Sequence, residues 1–233
     1  AAFFVVIGLW CYSYIMPYAY IDMDINPSVE MVVNIYDRII GAEGLNEDGA
    51  KLLSSGGYKN RRLSDGVGAL IDNAVKEGYL KENQPNAVVL SVSSKNRNKA
   101  LEIGKKIENR VAEELNTSHI ETELVVENAT LEKHENARMM GISPGKLSLI
   151  GKLIEEEPCL EIQDLKDVPV RQIMKSIKET KKETKATEKS EKSNNSSDKK
   201  EKIEAANSKT SEVNTKDGTK QNSSGPEKSS ERS

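Results

Sequence analysis

The dipeptide Asn26–Pro27 carries the most distinctive chemistry in this sequence. An asparagine side-chain nitrogen can attack its own backbone carbonyl carbon, which closes a five-membered succinimide and expels the following residue as an amine. A competing reaction usually wins, because the next backbone nitrogen attacks the side chain and causes deamidation. Proline has no N–H, so Pro27 blocks that route. The pair is therefore a candidate for cleavage of the chain at its own peptide bond.

Two polar residues flank this bond on the predicted strand face of Asn26, namely Asp24 and Ser28. They are placed to orient the Asn26 amide, to accept its proton or to donate one to the leaving nitrogen. Attack within one residue also begins at a high effective concentration if the rotamer is held. An N-to-O acyl shift requires a hydroxyl or thiol directly after the scissile bond, and Ser28 is one residue too far. The simpler alternative is a common Asn-Pro turn with solvated aspartates.

The elements that must position these residues begin with a period-two pattern over residues 21–35. Apolar and polar residues alternate there, which predicts a half-buried strand or a pair of strands. Pro27 donates no hydrogen bond, so the pattern predicts a break, a bend or an edge at that position. Residues 39–43 are expected to return as a hairpin partner. The strand that ends at Asn26 has two candidate partners, residues 27–35 and residues 120–126.

Helical periodicity dominates the rest of the chain up to residue 179, and its clearest example is Asn98–Leu115. Ser143–Pro144 is a typical helix start, and Val170, Ile173, Met174 and Ile177 form the last apolar stripe. The order of elements predicts an α/β fold (α+β-like), with a single mixed sheet covered by helices. We expect one extracytoplasmic domain over residues 20–179, because no polar linker interrupts it.

The N-terminal segment predicts a membrane helix over residues 1–19. Residues 1–16 carry no charge, and aromatic residues crowd their C-terminal end as in an interfacial belt. Because this run is shorter than the ~20 residues of a full span, we expect a longer N-terminal region to have been removed. The next basic residue is Arg38, which places the C-terminal side outside the cell by the positive-inside rule. The alternatives are a signal-peptide core and a buried helix.

Composition excludes several classes of function. Residues 180–233 mix 13 basic with 10 acidic residues and have no apolar period, which predicts a disordered tail or linker. Residues 1–179 then carry a net charge of −6, whereas nucleic-acid-binding domains are usually basic. Two cysteines support neither a disulfide framework nor a zinc site, and His119 and His134 are both expected at the surface. No cofactor and no metal site are predicted.

The membrane segment, the run from Ile21 to Glu30, Val33–Asn34 and Asp37–Arg38 together resemble the extracytoplasmic region of RsgI-type anti-sigma factors. The resemblance implies a missing cytoplasmic domain that holds a SigI-type sigma factor. It also implies self-cleavage at Asn26–Pro27, after which the halves stay joined by strand pairing. A stimulus, often linked to an extracellular polysaccharide, then separates the halves, and an intramembrane protease cuts the exposed stub and releases the sigma factor.

Two hypotheses of function follow. The first is a single-pass signalling protein of the cell membrane, with its N-terminus in the cytoplasm, whose outward domain cleaves itself once in cis. In it Asn26 supplies the nucleophile, Pro27 the leaving nitrogen, and Asp24 and Ser28 support the reaction. The second is an uncleaved, membrane-anchored binding or scaffold module of the envelope. An extracytoplasmic enzyme that acts on other molecules has little support in the sequence.

Overall fold

A five-stranded mixed sheet organises the protein in the computed structural model, which describes residues 2–183. The strands are β1 (Ala19–Asp24), β2 (Ser28–Val33), β3 (Ile39–Gly44), β4 (Asn86–Ser94) and β5 (Thr122–Ala129). Their spatial order is β3-β2-β1-β4-β5. All neighbours are antiparallel except β4 and β5, which pair in parallel. The prediction of a single mixed sheet covered by helices is confirmed for the described residues.

The first two strands form a tight hairpin whose tip is residues 25–27. Asp24 pairs with Ser28, and the register continues to Ala19 opposite Val33. The break predicted at Pro27 is therefore confirmed, as is the return strand at residues 39–43. Of the two candidate partners for β1, residues 28–33 pair with it. Residues 120–126 do not, because β4 lies between β1 and β5.

Eight helices are found among the described residues. They are α1 (Ala2–Ile15), α2 (Glu47–Ser54), α3 (Leu63–Lys76), α4 (Arg97–Thr117), α5 (Leu131–Met139), α6 (Pro144–Glu156), α7 (Ile162–Leu165) and α8 (170–183). Side chains of Asn46, Asn96, Thr130 and Ser143 accept hydrogen bonds from the first turns of α2, α4, α5 and α6. These caps explain where the helices begin, because they satisfy backbone N–H groups that have no intrahelical partner.

Helices cover both faces of the sheet, although the alternation predicted that β1 and β2 are only half-buried. One face packs Ile21, Met23 and Met31 against a core that includes α3 and α4. A second apolar cluster joins Ala87 and Val89 of β4 to residues of α6 and α8. The acidic residues of β1 and β2, namely Asp22, Asp24 and Glu30, point to this second side and are buried. The expectation of solvated aspartates is therefore wrong, because α5 and α6 cover that face.

The N-terminal helix α1 contains no buried residue. Its last turn is tied to the β2–β3 connection, where the Asn34 side chain donates to the Tyr14 carbonyl at 2.8 Å and Ser13 bonds to the Tyr36 hydroxyl at 2.9 Å. Within residues 2–183, no helix combines the length and the apolar character needed to cross a membrane. At the other end, α8 continues to residue 183, four residues past the predicted end of the domain. The rest of the predicted tail lies outside the described residues.

Candidate functional site

The candidate scissile bond lies at the tip of the β1–β2 hairpin. Asn26 has a φ of +75°, a left-handed conformation that asparagine tolerates better than most residues. Its side chain is exposed, whereas Pro27 is buried. The Ile25 N–H donates to the Pro27 carbonyl at 2.8 Å and closes the turn around Asn26. The bond therefore lies in the short turn between two paired strands, and the Asn26 side chain faces solvent.

The start of α2 holds the C-terminal side of this bond. The Asn46 side-chain oxygen accepts from the Ser28 N–H at 3.1 Å and from the Gly49 N–H at 2.8 Å. The Ser28 carbonyl in turn accepts from the Leu45 N–H at 2.9 Å. Gly49 is needed for this close approach, since a Cβ there would lie 2.0 Å from the Ser28 oxygen. The residue after Pro27 is therefore fixed by backbone contacts and by one helix cap.

Replacing Gly49 with alanine is expected to destabilise the domain by ~1–3 kcal/mol, because the added methyl forces α2 away from Ser28. Chemical unfolding followed by circular dichroism measures the change. Gly151→Ala is the matched control, since within residues 2–183 its added Cβ would meet nothing within 4 Å apart from neighbouring backbone of α6. There alanine should stabilise the helix by up to ~1 kcal/mol. Equal effects of the two substitutions would contradict the close packing of α2 on Ser28.

Asp24 and Ser28 are brought together directly beneath the turn. They are paired in the β1–β2 register, and Asp24 is fully buried. The Ser143 hydroxyl, at the start of α6, donates to the Asp24 carboxylate. Burial raises the pKa of Asp24, and the hydroxyls of Ser143 and Ser28 offset part of that rise. Lys146 is also buried here, and burial lowers the pKa of its ammonium.

The side chain of Asn26 is separate from this buried pair. Within residues 2–183 it forms no hydrogen bond, either with Asp24 or with Ser28. It borders a small cavity of about 130 Å³ that is also lined by Tyr79, Pro85 and Arg171. The Arg171 guanidinium donates to the Pro85 carbonyl at 3.0 Å. The tip is therefore open to solvent on the Asn26 side and anchored on the Ser28 side.

A second group of polar residues extends the buried pair along the same face. Asp22 and Glu30 are directly opposite in the β1–β2 register, and both are about 1% exposed. His134 of α5 is 4% exposed, and its Nε2 lies 2.6 Å from Glu30 Oε2. Arg138 donates to Glu30 Oε1 at 2.6 Å. Asp22, Asp24, Glu30, His134 and Ser143 are together called the polar layer.

The two facing carboxylates of the polar layer differ in their surroundings. Burial, together with the nearby Glu30 and Asp24 charges, raises the pKa of Asp22 well above its usual value. Only Ser91 donates to Asp22, at 3.3 Å, and Asp22 Oδ1 has no partner within residues 2–183. Burial also pushes the pKa of Glu30 upward, but His134 and Arg138 outweigh that effect, and the net pKa is lowered. Glu30 is therefore satisfied as an anion, whereas Asp22 is not.

A family model described as the anti-sigma factor RsgI-like central domain matches residues 18–152, more than half of this chain. The chain belongs to the family of RsgI-like anti-sigma factors. The matched region begins one residue before β1 and ends within α6. It therefore includes the β1–β2 hairpin and the whole polar layer of this RsgI-like domain.

Relatives with anti-sigma-I names support the same assignment. RsgI7 of Acetivibrio thermocellus is 45% identical over 167 residues, which cover 72% of this chain and 31% of that protein. RsgI4 of the same organism is 32% identical over 132 residues, which cover 55% and 25%. RsgI of Bacillus subtilis is 27% identical over 143 residues, which cover 61% and 37%. The RsgI-like chain thus spans about a third of the length of the curated relatives it matches.

The structure corrects one prediction about the histidines of this RsgI-like domain. His119 is exposed, as expected, but the expectation of a surface position for His134 is wrong. Its ring stacks on Tyr20 with centroids 4.2 Å apart and bonds to Glu30. Sequence reasoning also missed Lys146 and the bond from Ser143 to Asp24. The only sequence signal was that the acidic residues of β1 and β2 share one face of the strands. This pattern is also typical of a face exposed to solvent.

Proposed function

We propose that this chain is the outward-facing part of a transmembrane RsgI-type anti-sigma factor that cleaves itself once between Asn26 and Pro27. The observation that carries the proposal is the position of this bond at the exposed tip of a hairpin whose two strands pair throughout their length. A cut there separates the chain into residues 1–26 and 27–233 without removing any strand from the sheet.

All the atoms that take part in the cleavage step come from the chain itself. The Asn26 side-chain nitrogen forms a bond to the Asn26 backbone carbonyl carbon, and the bond from that carbon to the Pro27 nitrogen breaks. One amide proton passes to the Pro27 nitrogen, which leaves as a secondary amine. The N-terminal fragment then ends in a succinimide, which water opens later. The exposed, unbonded Asn26 side chain supports this proposal, because it can rotate toward its own carbonyl.

Asp24 and Ser28 support the reaction from below the turn. They are the last register pair before the tip, and Ser143 and Asn46 hold them in place. In the proposal they position the backbone on both sides of the scissile bond, and they relay the transferred proton after the Asn26 side chain has rotated toward its own carbonyl. Asn26 is the reacting residue and Pro27 the leaving residue, with no substrate other than the chain.

The cleaved halves stay together because β1 occupies the middle of the sheet. It pairs with β2 on one side and with β4 on the other, six residues with each. Its apolar side chains also remain in the core of the C-terminal half. Separation therefore requires extraction of a central strand, which makes the hairpin a latch that a pulling force or a ligand can open.

The membrane and signalling parts of the proposal rest on α1 and on the relatives. α1 is apolar and contains no buried residue, and only three residues separate it from β1. We propose that it lies in the cell membrane, with the sheet outside and the N-terminus toward the cytoplasm. The names of the relatives support a SigI-type sigma factor as partner. Withdrawal of β1 would then expose the membrane stub to an intramembrane protease, with an extracellular polysaccharide as the stimulus.

The test is the intact mass of the purified chain, kept folded and then denatured immediately before analysis. We expect two fragments, of which the larger begins at Pro27 by N-terminal sequencing. A small fragment one water lighter than the Asn-ended peptide would identify the succinimide. A single uncut chain would refute self-cleavage and favour an uncleaved, membrane-anchored scaffold module of the envelope.

A further inference from the structure

We propose that Asp22, Glu30 and His134 form a binding site for one divalent transition-metal ion, with Zn²⁺ as the best-fitting ion. Each residue offers one ligand atom, and the three atoms lie within 4.8 Å of one another. All three residues are buried. One imidazole nitrogen with two carboxylate oxygens is a donor set that Zn²⁺ accepts, with its fourth position left for water.

The spacing of the ligand atoms fits a tetrahedral ion after a small adjustment. Ligands ~2.1 Å from Zn²⁺ at tetrahedral angles lie about 3.4 Å apart. The observed spacing brackets that value, since His134 Nε2 and Glu30 Oε2 are 2.6 Å apart and no pair exceeds 4.8 Å. The ion would replace the hydrogen bond between His134 and Glu30 and draw the Asp22 carboxylate inward.

The unsatisfied oxygen of Asp22 is the independent observation that points to a ligand. Asp22 Oδ1 is buried and has no partner within residues 2–183. Buried polar atoms in folded proteins are rarely left in this state. Glu30 already contacts His134 and Arg138. These contacts do not explain why the carboxylate of Asp22 lies opposite it. A cation between the two carboxylates would satisfy Asp22.

Neighbouring residues already fix the orientation of the other two ligands, Glu30 and His134. Arg138 binds Glu30 Oε1, which leaves Oε2 toward His134, and it also donates to Glu43 at 2.8 Å. Tyr20 stacks on the His134 ring and fixes its plane. Formal charges agree with a divalent ion, because the carboxylates of Asp22, Asp24, Glu30 and Glu43 outnumber the cations of Arg138 and Lys146 by two. Such supporting contacts orient metal ligands in known sites.

The three ligands come from both sides of the proposed cleavage site. A bound ion would therefore affect how the two halves stay together, an inference that rests on the proposed function. Asp22 belongs to residues 1–26, whereas Glu30 and His134 belong to residues 27–233. A bound ion would therefore cross-link the two halves at the centre of the latch. Three ligands hold the ion in the joined halves, whereas only Glu30 and His134 stay together after separation. The ion would therefore bind the joined halves more tightly and shift the equilibrium toward the closed state.

The first experiment measures metal binding alone, on the full chain in detergent after treatment with a chelator. Isothermal titration with Zn²⁺ should give one site, and Co²⁺ should give visible absorption bands of a tetrahedral complex. Asp22→Asn and His134→Gln should each weaken binding at least ~10-fold. Asn at residue 22 matches the shape of Asp, so this variant is expected to fold, as circular dichroism will check. The matched control His119→Gln removes an exposed histidine and should bind like the parent chain.

Equal Zn²⁺ affinity in the parent chain and in folded Asp22→Asn would overturn the site, because binding would then occur elsewhere. Binding lost in His119→Gln would overturn it in the same way. The uncleaved variant Asn26→Gly should bind Zn²⁺ as the parent chain does. Metal binding is therefore tested independently of self-cleavage, and failure of one proposal is distinguishable from failure of the other.

The second experiment measures the cross-link in chains that mass spectrometry shows to be cleaved. Release of fragment 27–233 from detergent-bound fragment 1–26 is followed in intermediate urea, with and without Zn²⁺. At 100 times its Kd, the ion should lower the ratio of separated to joined halves by up to about 100-fold. A chelator should reverse this, and Asp22→Asn should abolish it. Release that is unaffected by bound Zn²⁺ would overturn the cross-link.

Discussion

The variant Asn26→Gly is expected to remain a single uncut chain with the parent fold. Glycine adopts a φ of +75° without steric cost, so the hairpin turn is preserved. The side-chain amide that would form the succinimide is absent, so cleavage should fall from complete to undetectable. Intact mass after denaturation measures the cut, and circular dichroism checks the fold. A variant still cut after residue 26 would rule out the succinimide route.

Pro27→Ala separates the chemistry of this bond from the shape of the turn. Alanine restores a backbone N–H, which opens the deamidation route that proline blocks. We expect less cleavage, together with conversion of Asn26 to aspartate or isoaspartate in the uncut chain. Tandem mass spectrometry of the peptide around residue 26 distinguishes the products. Unchanged cleavage without any deamidation would indicate that the leaving residue does not control the reaction.

The second large effect is expected for Ile21→Ala, which should release the cleaved halves from each other. Ile21 is 1% exposed and contributes to the core from the N-terminal side of the cut. Removal of a buried isoleucine side chain costs ~2–5 kcal/mol, and in the proposed cleaved chain that energy would help to hold the two fragments together. The equilibrium constant for separation should therefore rise about 30-fold to a few thousand-fold. Size-exclusion chromatography of the denaturant-free chain, with mass analysis of each peak, measures the released fragment.

Ile35→Ala is the matched control, because it makes the same chemical change at a side chain that is 50% exposed. It lies on the C-terminal side of the cut, beyond β2, and should leave the joined state unchanged. If both variants released the halves equally, general destabilisation and not the packing of β1 would explain the result. If neither did, the latch would depend mainly on backbone pairing with β2 and β4.

If the chain is cleaved as proposed, the polar layer would weaken the hold of the C-terminal half on β1. A fully apolar central strand would be anchored on both faces of the sheet. β1 instead places Ile21 and Met23 on the apolar side and Asp22 and Asp24 on the other. Buried charged groups gain little net stability, because desolvation offsets their attraction. In the proposed cleaved chain, the N-terminal fragment would therefore be held mainly through its apolar face, and a metal ion bound in the polar layer would strengthen that hold.

Local features of the chain were predictable from the sequence, since they depend on neighbouring residues. Period-two alternation indicated β1 and β2, and Pro27 indicated the break between them. Helical periodicity located α4, and Ser143–Pro144 located the start of α6. The candidate bond Asn26–Pro27 was identified from its chemistry alone. Each of these predictions uses information within a few positions along the chain.

Sequence patterns were enough to predict the strands, the turn and the candidate reactive residues, whereas the surroundings of the turn depend on tertiary contacts. His134 reaches Glu30 across 104 positions of sequence, and Ser143 reaches Asp24 across 119. No local pattern reports such distant contacts. The same acidic residues suit a solvated face or a buried polar layer equally well, and only the packing of α5 and α6 against the sheet makes them buried.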